Sequence, residues 1–241
     1  MGKKICIFGY NFKHWKTQTG IINLALSGHK PDFVILQNWK KLKIPQSTLR
    51  ISPKDLYLFE PSTLLKNLDI PYIICDHNSE ECIQFLSSQG FDLGVILGAR
   101  ILSKSVIQQF EKGILNLHPG LLPENRGLDT IKWAVLKNLK QGVTSHIIDE
   151  KIDRGTLISR KQIKIYEDDT LIDLNIRIQN LEQEMMIDAV KKILLDDFGS
   201  GSLLERGDYN SHMNKEDELR VINNFANYKN LILEKKNAID Y

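Results

Sequence analysis

The sequence has little of what marks the specialised protein classes. Its three cysteines, Cys6, Cys75 and Cys82, are an odd number with no Cys-x-x-Cys pair. That argues against a disulfide framework and against a structural zinc site. Cys6 and Cys75 sit in apolar runs, where a buried, inert thiol is expected. Seven Pro and fifteen Gly in 241 residues leave no room for long low-complexity linkers. No run approaches the ~18 to 20 apolar residues that span a bilayer. The apolar stretch behind Met1-Gly2-Lys3-Lys4 stops at Gly9, too short for a signal-peptide core, so a cytoplasmic location with no membrane partner is expected. A net charge of +2, from 32 basic and 30 acidic residues, lacks the bias of a nucleic-acid coat. The cluster Lys40, Lys41 and Lys43 reads as solvated surface. There is no Walker loop, no Gly-x-Gly-x-x-Gly after the first apolar run and no His-Glu-x-x-His. A classical NAD or ATP site and a catalytic metal are therefore not expected.

What is present is alternation. Residues 3–9, 32–36, 71–75, 92–97 and 113–118 read as short, continuously apolar strands. Helical patterns separate several of them: 17–27, a short piece after Pro61, one capped by Ser79 and stopped by Gly90, and one capped by Ser103. Residues 38–60 read as an irregular excursion. Strands of this kind imply crossover units and a parallel sheet buried on both faces. The fold class is α/β: an open, mostly parallel twisted sheet with helices on both faces. After a helix near 130–138 the pattern changes to two strands, 142–149 and 156–165, joined by a link with Asp153 and Gly155. Residues 170–195 form the longest helix, with Leu171, Leu174, Ile178, Leu181, Met185, Ala189 and Ile193 at steps of three and four. Residues 1–197 are read as the core. Residues 198–241 are a small extension, opening on a flexible break at 198–202 and holding a hairpin around Gly207-Asp208 and a helix over 216–231.

In open α/β sheets the ligand site lies beyond the carboxyl ends of the strands. That rule points to the loops at 9–16, 98–102 and 119–127. The segment Asn116-Leu117-His118-Pro119-Gly120-Leu121-Leu122-Pro123-Glu124-Asn125-Arg126-Gly127 is the most informative. Spacing of two puts Asn116 and His118 on one face of a buried strand, ahead of a stiff loop.

Asn116-x-His118-Pro119-x-Leu121-x-Pro123, followed by Arg126-Gly127, resembles the signature of the folate-dependent formyltransferases. Two further blocks are similar, in the same order: residues 97–103 to the folate-contacting loop, and residues 142–146 with 153–158 to the strand pair that carries the catalytic aspartate. The resemblance implies a Rossmann-like fold and formyl transfer from 10-formyltetrahydrofolate to an amine. It implies Asn116 and His118 as oxyanion donors and Asp153 as the carboxylate that favours the imidazolium and relays the amine proton. Asp149 is the competing carboxylate and is otherwise assigned to folate with Gly98, Arg100, Ile101 and Leu102. No metal is implied.

Within the family the chain most resembles the nucleotide-sugar N-formyltransferases. The first loop lacks the glycine-rich phosphate cradle of glycinamide ribonucleotide transformylase, and the tail is short and nearly neutral, unlike that of methionyl-tRNA formyltransferase. The implied acceptor is a dTDP-linked 4-amino-4,6-dideoxyglucose or its galactose epimer, made for surface polysaccharide such as the O-antigen of lipopolysaccharide. Tyr10, Asn11, Trp15, Lys16 and Arg126 are candidate acceptor contacts. A homodimer paired through the tail is expected. The alternatives are another formyl acceptor, a formyltetrahydrofolate hydrolase, or a non-catalytic folate- or nucleotide-binding module.

Overall fold

In the computed structural model, residues 2–41, 45, 47–151, 153–197, 201–205 and 207–237 are described. Lys43, Arg206 and residues 198–200 of the expected break lie outside them. The elements run β1 (Ile5–Tyr10), α1 (Trp15–Leu26), β2 (Phe33–Gln37), α2 (Pro61–Asn67), β3 (Tyr72–Ile74), α3 (Glu80–Gln89), β4 (Leu93–Ile96), α4 (Lys104–Ile107) and β5 (Ile114–His118). They continue β6 (Arg126–Gly127), α5 (Thr130–Leu136), β7 (Gly142–Ile148), β8 (Gly155–Gln162), α6 (Leu171–Leu194), β9 (Tyr209–Asn210) and α7 (Lys215–Asn237).

The side chains of β1 show why both faces of the sheet are covered. Ile5 and Ile7 join one core with Ile21 and Leu24 of α1 and with Leu174 and Ile178 of α6. Cys6 and Phe8 point the other way, into a second core with Cys82 and Leu86 of α3 and Val106 of α4. Period-two alternation thus serves two apolar layers. Each fully buried aliphatic side chain stabilises by about 1.5–3 kcal/mol. Helix ends follow local chemistry. Ser79 Oγ accepts from Cys82 N at the start of α3, and Gly90, at φ 61°, ends it. Thr170 and Asp173 form a capping box on α6.

The seven-stranded sheet has the order β3-β2-β1-β4-β5-β7-β8. β1 to β5 are parallel. β7 runs antiparallel to β5, and β8 antiparallel to β7. The chain builds outward on one side of β1 and then returns to the other with β4. The carboxyl ends of β1 and β4 therefore flank the topological switch point.

The expected hairpin after α6 does not form among the described residues. Leu203 instead bridges to Thr156 at the start of β8, and Leu204 N donates to Gly155 O (2.9 Å). β9 pairs in parallel with β6, a two-residue strand too short to leave a sequence signal. Leu203 and Leu204 do not share a surface: Leu203 is 77% exposed and Leu204 5%. The cause is that the edge of β8 and the 126–127 backbone offer the tail partners that it cannot find in itself; an isolated two-stranded hairpin is marginal.

α7 is longer than expected and is pinned by a buried charge. The Glu218 carboxylate accepts five hydrogen bonds, from Ser47 Oγ, Thr48 N, Thr48 Oγ1, Leu49 N and Lys132 Nζ. Burial opposes its charge, but the bonds from Lys132, Ser47 and Thr48 outweigh it and hold its pKa at about 2. One residue thereby ties α7 to α5 and to the excursion before α2. Tyr228, fully buried, donates to Leu139 O (2.8 Å).

Candidate active site

β5 delivers Asn116 and His118 on the face that also carries Ile114, while Leu115 and Leu117 enter the opposite core. His118 is 4% exposed. Its Nε2 donates to the Asn125 carbonyl (2.8 Å), and its Nδ1 lies 3.4 Å from Asp153 Oδ1. The other oxygen, Asp153 Oδ2, accepts from Gly127 N (2.8 Å). Both ring nitrogens thus face oxygen atoms.

The loop after β5 closes on the ring because residue 120 is glycine. A Cβ there would stand 2.7 Å from Asn125 O and 3.0 Å from His118 Nε2. Asp153 is itself held in the left-handed region, at φ 49°, in the link between β7 and β8.

His146 completes the constellation. The antiparallel register places it directly opposite Asn116. Its Nδ1 bonds the Arg154 carbonyl (3.0 Å) and so carries the proton, which leaves Nε2 to accept from Asn116 Nδ2 (3.2 Å). Complete burial, and then the charge of His118, lower its pKa to about 4, so it is neutral at pH 7. That fixes the Asn116 amide with one N–H on His146 and the other outside this bond. The sequence shows His146 within the 142–146 block but assigns it no role, because the role depends on cross-strand register. Asn125 and Gly120 were missed for a similar reason: their partners are backbone atoms brought together by the loop.

Asp149, the competing carboxylate, accepts from Lys151 N (2.7 Å) and shapes the turn after β7. The carboxylate on His118 is that of Asp153. Of the expected folate loop, Ile101 is 63% exposed and Leu102 4%. Arg100 donates to Lys40 O (2.8 Å), and Asn78 bonds the Ile101 carbonyl (2.9 Å). A cavity of about 280 Å³ opens here, with Gln37, Lys40, His77, Arg100 and Ile101 among its walls. A larger one, about 400 Å³, is lined by Leu121, Glu124, Lys140 and Arg160 and by none of the trio Asn116, His118 and Asp153.

The first loop fills the switch point with its own side chains. The Tyr10 ring lies so close to Gly98 that a Cβ there would sit 2.7 Å from it, and it stacks on Phe12. Asn11 bonds Asn38 (2.7 Å). His14 Nδ1 accepts from Thr17 N and caps α1, which satisfies one of the first-turn N–H groups; burial, then the charge of Lys16, lower the His14 pKa to about 4. Lys16, expected to contact the acceptor, turns inward to Glu182 Oε1 (2.6 Å) and Leu117 O (2.8 Å). A buried carboxylate and a strand carbonyl claim its ammonium, and it braces β5 from behind. Trp15 is the half-buried first residue of α1. Arg126 donates to Gly207 O (3.3 Å) and lies 5.7 Å over the Tyr209 ring.

A family model described as formyl transferase matches residues 74–190, which hold all four site side chains. The methionyl-tRNA formyltransferase of Flavobacterium psychrophilum is 33% identical over 141 residues, 58% of this chain and 40% of that protein. The chain spans about two fifths to just over half of the length of the first such relatives. Among solved structures, a sugar N-formyltransferase from Shewanella sp. superimposes with a TM-score of 0.63 at 20% identity, covering 91% of this chain and 87% of that one. An N-formyltransferase from Helicobacter canadensis, in complex with folinic acid and dTDP-3-aminofucose, gives 0.63 at 21% identity, covering 89% and 72%. At these identities the solved structures share the fold. The segment matched by the formyl transferase model, just under half of the chain, is the one that carries the Asn116, His118 and Asp153 geometry.

Proposed function

We propose that the protein transfers a formyl group from 10-formyltetrahydrofolate to the amino group of a nucleotide-linked amino sugar. The observation that carries formyl transfer is the pairing of His118 with Asp153 beside an Asn116 whose amide is already oriented. The formyl oxygen is placed against Asn116 Nδ2 and His118 Nδ1–H. These donors stabilise the oxyanion that develops when the amine attacks the formyl carbon. Asp153 Oδ1 accepts the proton that the amine sheds, and the proton passes to the departing folate nitrogen. Asp153 can serve because Gly127 N holds its second oxygen and leaves Oδ1 toward the ring.

The residues present fit the folate. Ile101 offers an exposed apolar contact beside the 280 Å³ cavity, whose walls also carry Lys40, ion-paired with Asp76, and Arg100, bonded to Lys40 O. When bound, the folate supplies an activated formyl carbon; the chain's own groups hold it and manage the proton.

The acceptor reading draws on the shared fold with sugar N-formyltransferases over most of both chains. The first loop also supports it, since it carries the bulky side chains Tyr10, Phe12 and His14 where a glycine-rich phosphate cradle would stand. Tyr10, Trp15 and Arg126 are the proposed acceptor contacts, and a cytoplasmic homodimer is part of the reading. Methionyl-tRNA is the competing acceptor, because that is what the name of the F. psychrophilum relative specifies. The test is turnover of 10-formyltetrahydrofolate against dTDP-4-amino sugars, glycinamide ribonucleotide, methionyl-tRNA and water. Formylation of a dTDP-amino sugar alone supports the reading. Formylation of methionyl-tRNA, or formate release without an amine, replaces it.

A further inference from the structure

The tail lies against the site rather than apart from it, and its contacts fall on the residues that hold the reacting groups. Asn210, in β9, is 3% exposed. Its Nδ2 donates to Asn125 Oδ1 (3.0 Å), and its Oδ1 accepts from Lys137 Nζ (2.5 Å). Asn125 is 1% exposed, donates to Thr130 O (2.8 Å), and offers its carbonyl to His118 Nε2. An unbroken chain of polar contacts therefore runs Lys137, Asn210, Asn125, His118, Asp153.

A second chain reaches the carboxylate. β9 pairs with β6 in the register Gly127 to Asn210, and Leu128 N donates to Asn210 O (2.8 Å). Gly127 has φ 103°, and a Cβ on it would stand 2.2 Å from Asn210 O. The amide of this same Gly127 holds Asp153 Oδ2. One tail residue thus braces both supports of the His118–Asp153 pair.

We infer that Asn210 is a positioning residue for catalysis, acting through Asn125 on His118 and through Gly127 on Asp153. The tail is then a structural part of the active site. The physical reason is that His118 must present Nδ1 to the reacting oxygen, so Nε2 must be held from behind. A backbone carbonyl does this only if its loop is fixed, and a small displacement of a catalytic group is costly in rate. The inference rests on the formyl-transfer reading for its kinetic arm but not for its spectroscopic one.

The test uses the full chain and Asn210→Asp. This variant keeps size, strand pairing and the Lys137 contact, now as an ion pair. It replaces the N–H donor facing Asn125 with an oxygen. Tyr228→Phe, which removes a tail hydrogen bond remote from the site, is the control. The expected result for Asn210→Asp is kcat lowered about tenfold, with KM for folate and acceptor within about twofold and an altered kcat–pH profile. Tyr228→Phe should lower the melting temperature and leave kcat unchanged. In parallel, the His118 ring N–H signal, assigned by its loss in His118→Ala, should shift or exchange faster in Asn210→Asp. Should Asn210→Asp fail to fold, Asn210→Ser carries the test: it withdraws the amide from Asn125 and keeps the backbone pairing with β6, and the same two readouts apply. Unchanged kcat in an active protein, or losses in kcat that follow melting temperature alike in both tail variants, would overturn the proposal. If the wild type transfers no formyl group to any acceptor, the functional reading fails, and the ring signal alone decides the positioning role.

Discussion

The two halves of the sheet are held together by different physics. In the half built from β1 to β4, buried polar side chains are few: Thr17, Gln37 and His77 among strands of Ile, Leu, Val and Phe. In the half from β5 to β8, with the tail laid on it, the buried set includes His118, Asn125, Thr130, Lys132, Thr144, Ser145, His146, Asn210 and Glu218. The first half is an apolar sandwich that tolerates small shifts. The second is a polar network whose members are paired with one another, Arg154 Nε in the β7–β8 link excepted, and an unpaired buried group is costly. The candidate site sits in the second half because the proposed formyl transfer requires oriented hydrogen-bonding groups, and apolar contacts are non-directional.

The sharpest break of that comparison is at the trio. His118→Ala, Asn116→Ala and Asp153→Asn should each lower kcat by about 10²–10³ in protein that is still folded at the assay temperature, a loss well beyond what their lower melting temperatures account for. Steady-state turnover and thermal unfolding check this together. Asp149→Asn, which loses only a turn contact, should stay within a few-fold of wild type; a dead Asp149→Asn beside an active Asp153→Asn would reverse the two carboxylate roles.

Next is the anchor of α7. Glu218→Gln takes the nearer carboxylate from buried Lys132 and leaves it Asp129 at 3.4 Å, so the cost should reach at most the ~3–5 kcal/mol of a fully broken buried pair. For a chain of this size that ceiling corresponds to a fall in melting temperature of roughly 10 °C. The Glu218 pKa is depressed from 4.5 to about 2 in the folded state, so its stabilisation is full above pH 4.5 and is lost as pH falls toward 2. Denaturant titrations at pH 5 and pH 2.5 should show this loss in the wild type and a smaller one in Glu218→Gln.

His146 sets a higher window. Burial depresses its pKa from 6.5 to about 4, so the unfolded chain binds its proton more readily than the folded one. Stability should be full above pH 6.5 and decline as pH falls toward 4, by an amount of the order of 3 kcal/mol. His14, lowered to about 4 largely by burial, acts in the same direction. A flat stability profile between pH 7 and 4.5 would contradict this account.

Two glycines compare the halves most finely. Gly28 follows α1 at φ 82°, with nothing within 4 Å of the point a Cβ would occupy, so Gly28→Ala should cost only the left-handed strain of about 1–2 kcal/mol. Gly127→Ala adds a collision with the Asn210 backbone, and should cost more and reduce activity through Asp153. Equal effects of the two substitutions would mean that β9 is not held against β6.

The legible parts of the molecule are those whose causes are local. The strand and helix pattern through β5, the Ser79 and Thr170 caps and the Gly90 stop can be read along the chain because period, cap and breaker lie within a few residues of their effect. Asn116 and His118 were legible through their spacing on one strand, and Asp153 through its family motif. The inward turn of Lys16 was not, because its partner Glu182 lies on α6, far along the chain. Nor was the path of the tail. Gly207-Asp208 is a fair hairpin signal, yet the chain pairs with β6 and the start of β8, where backbone donors and acceptors already stood.

By itself, then, the sequence determined the α/β class, written in periodicity, and named Asn116, His118 and Asp153 as the candidate trio through a family resemblance. Only the tertiary structure decided which side chains hold that trio in place: His146 behind Asn116, Asn125 and Asn210 behind His118, Gly127 behind Asp153. The physical reason is that these supports are hydrogen bonds between segments distant in sequence. They depend on register, loop closure and left-handed backbone positions, which leave no periodic trace in the order of the residues.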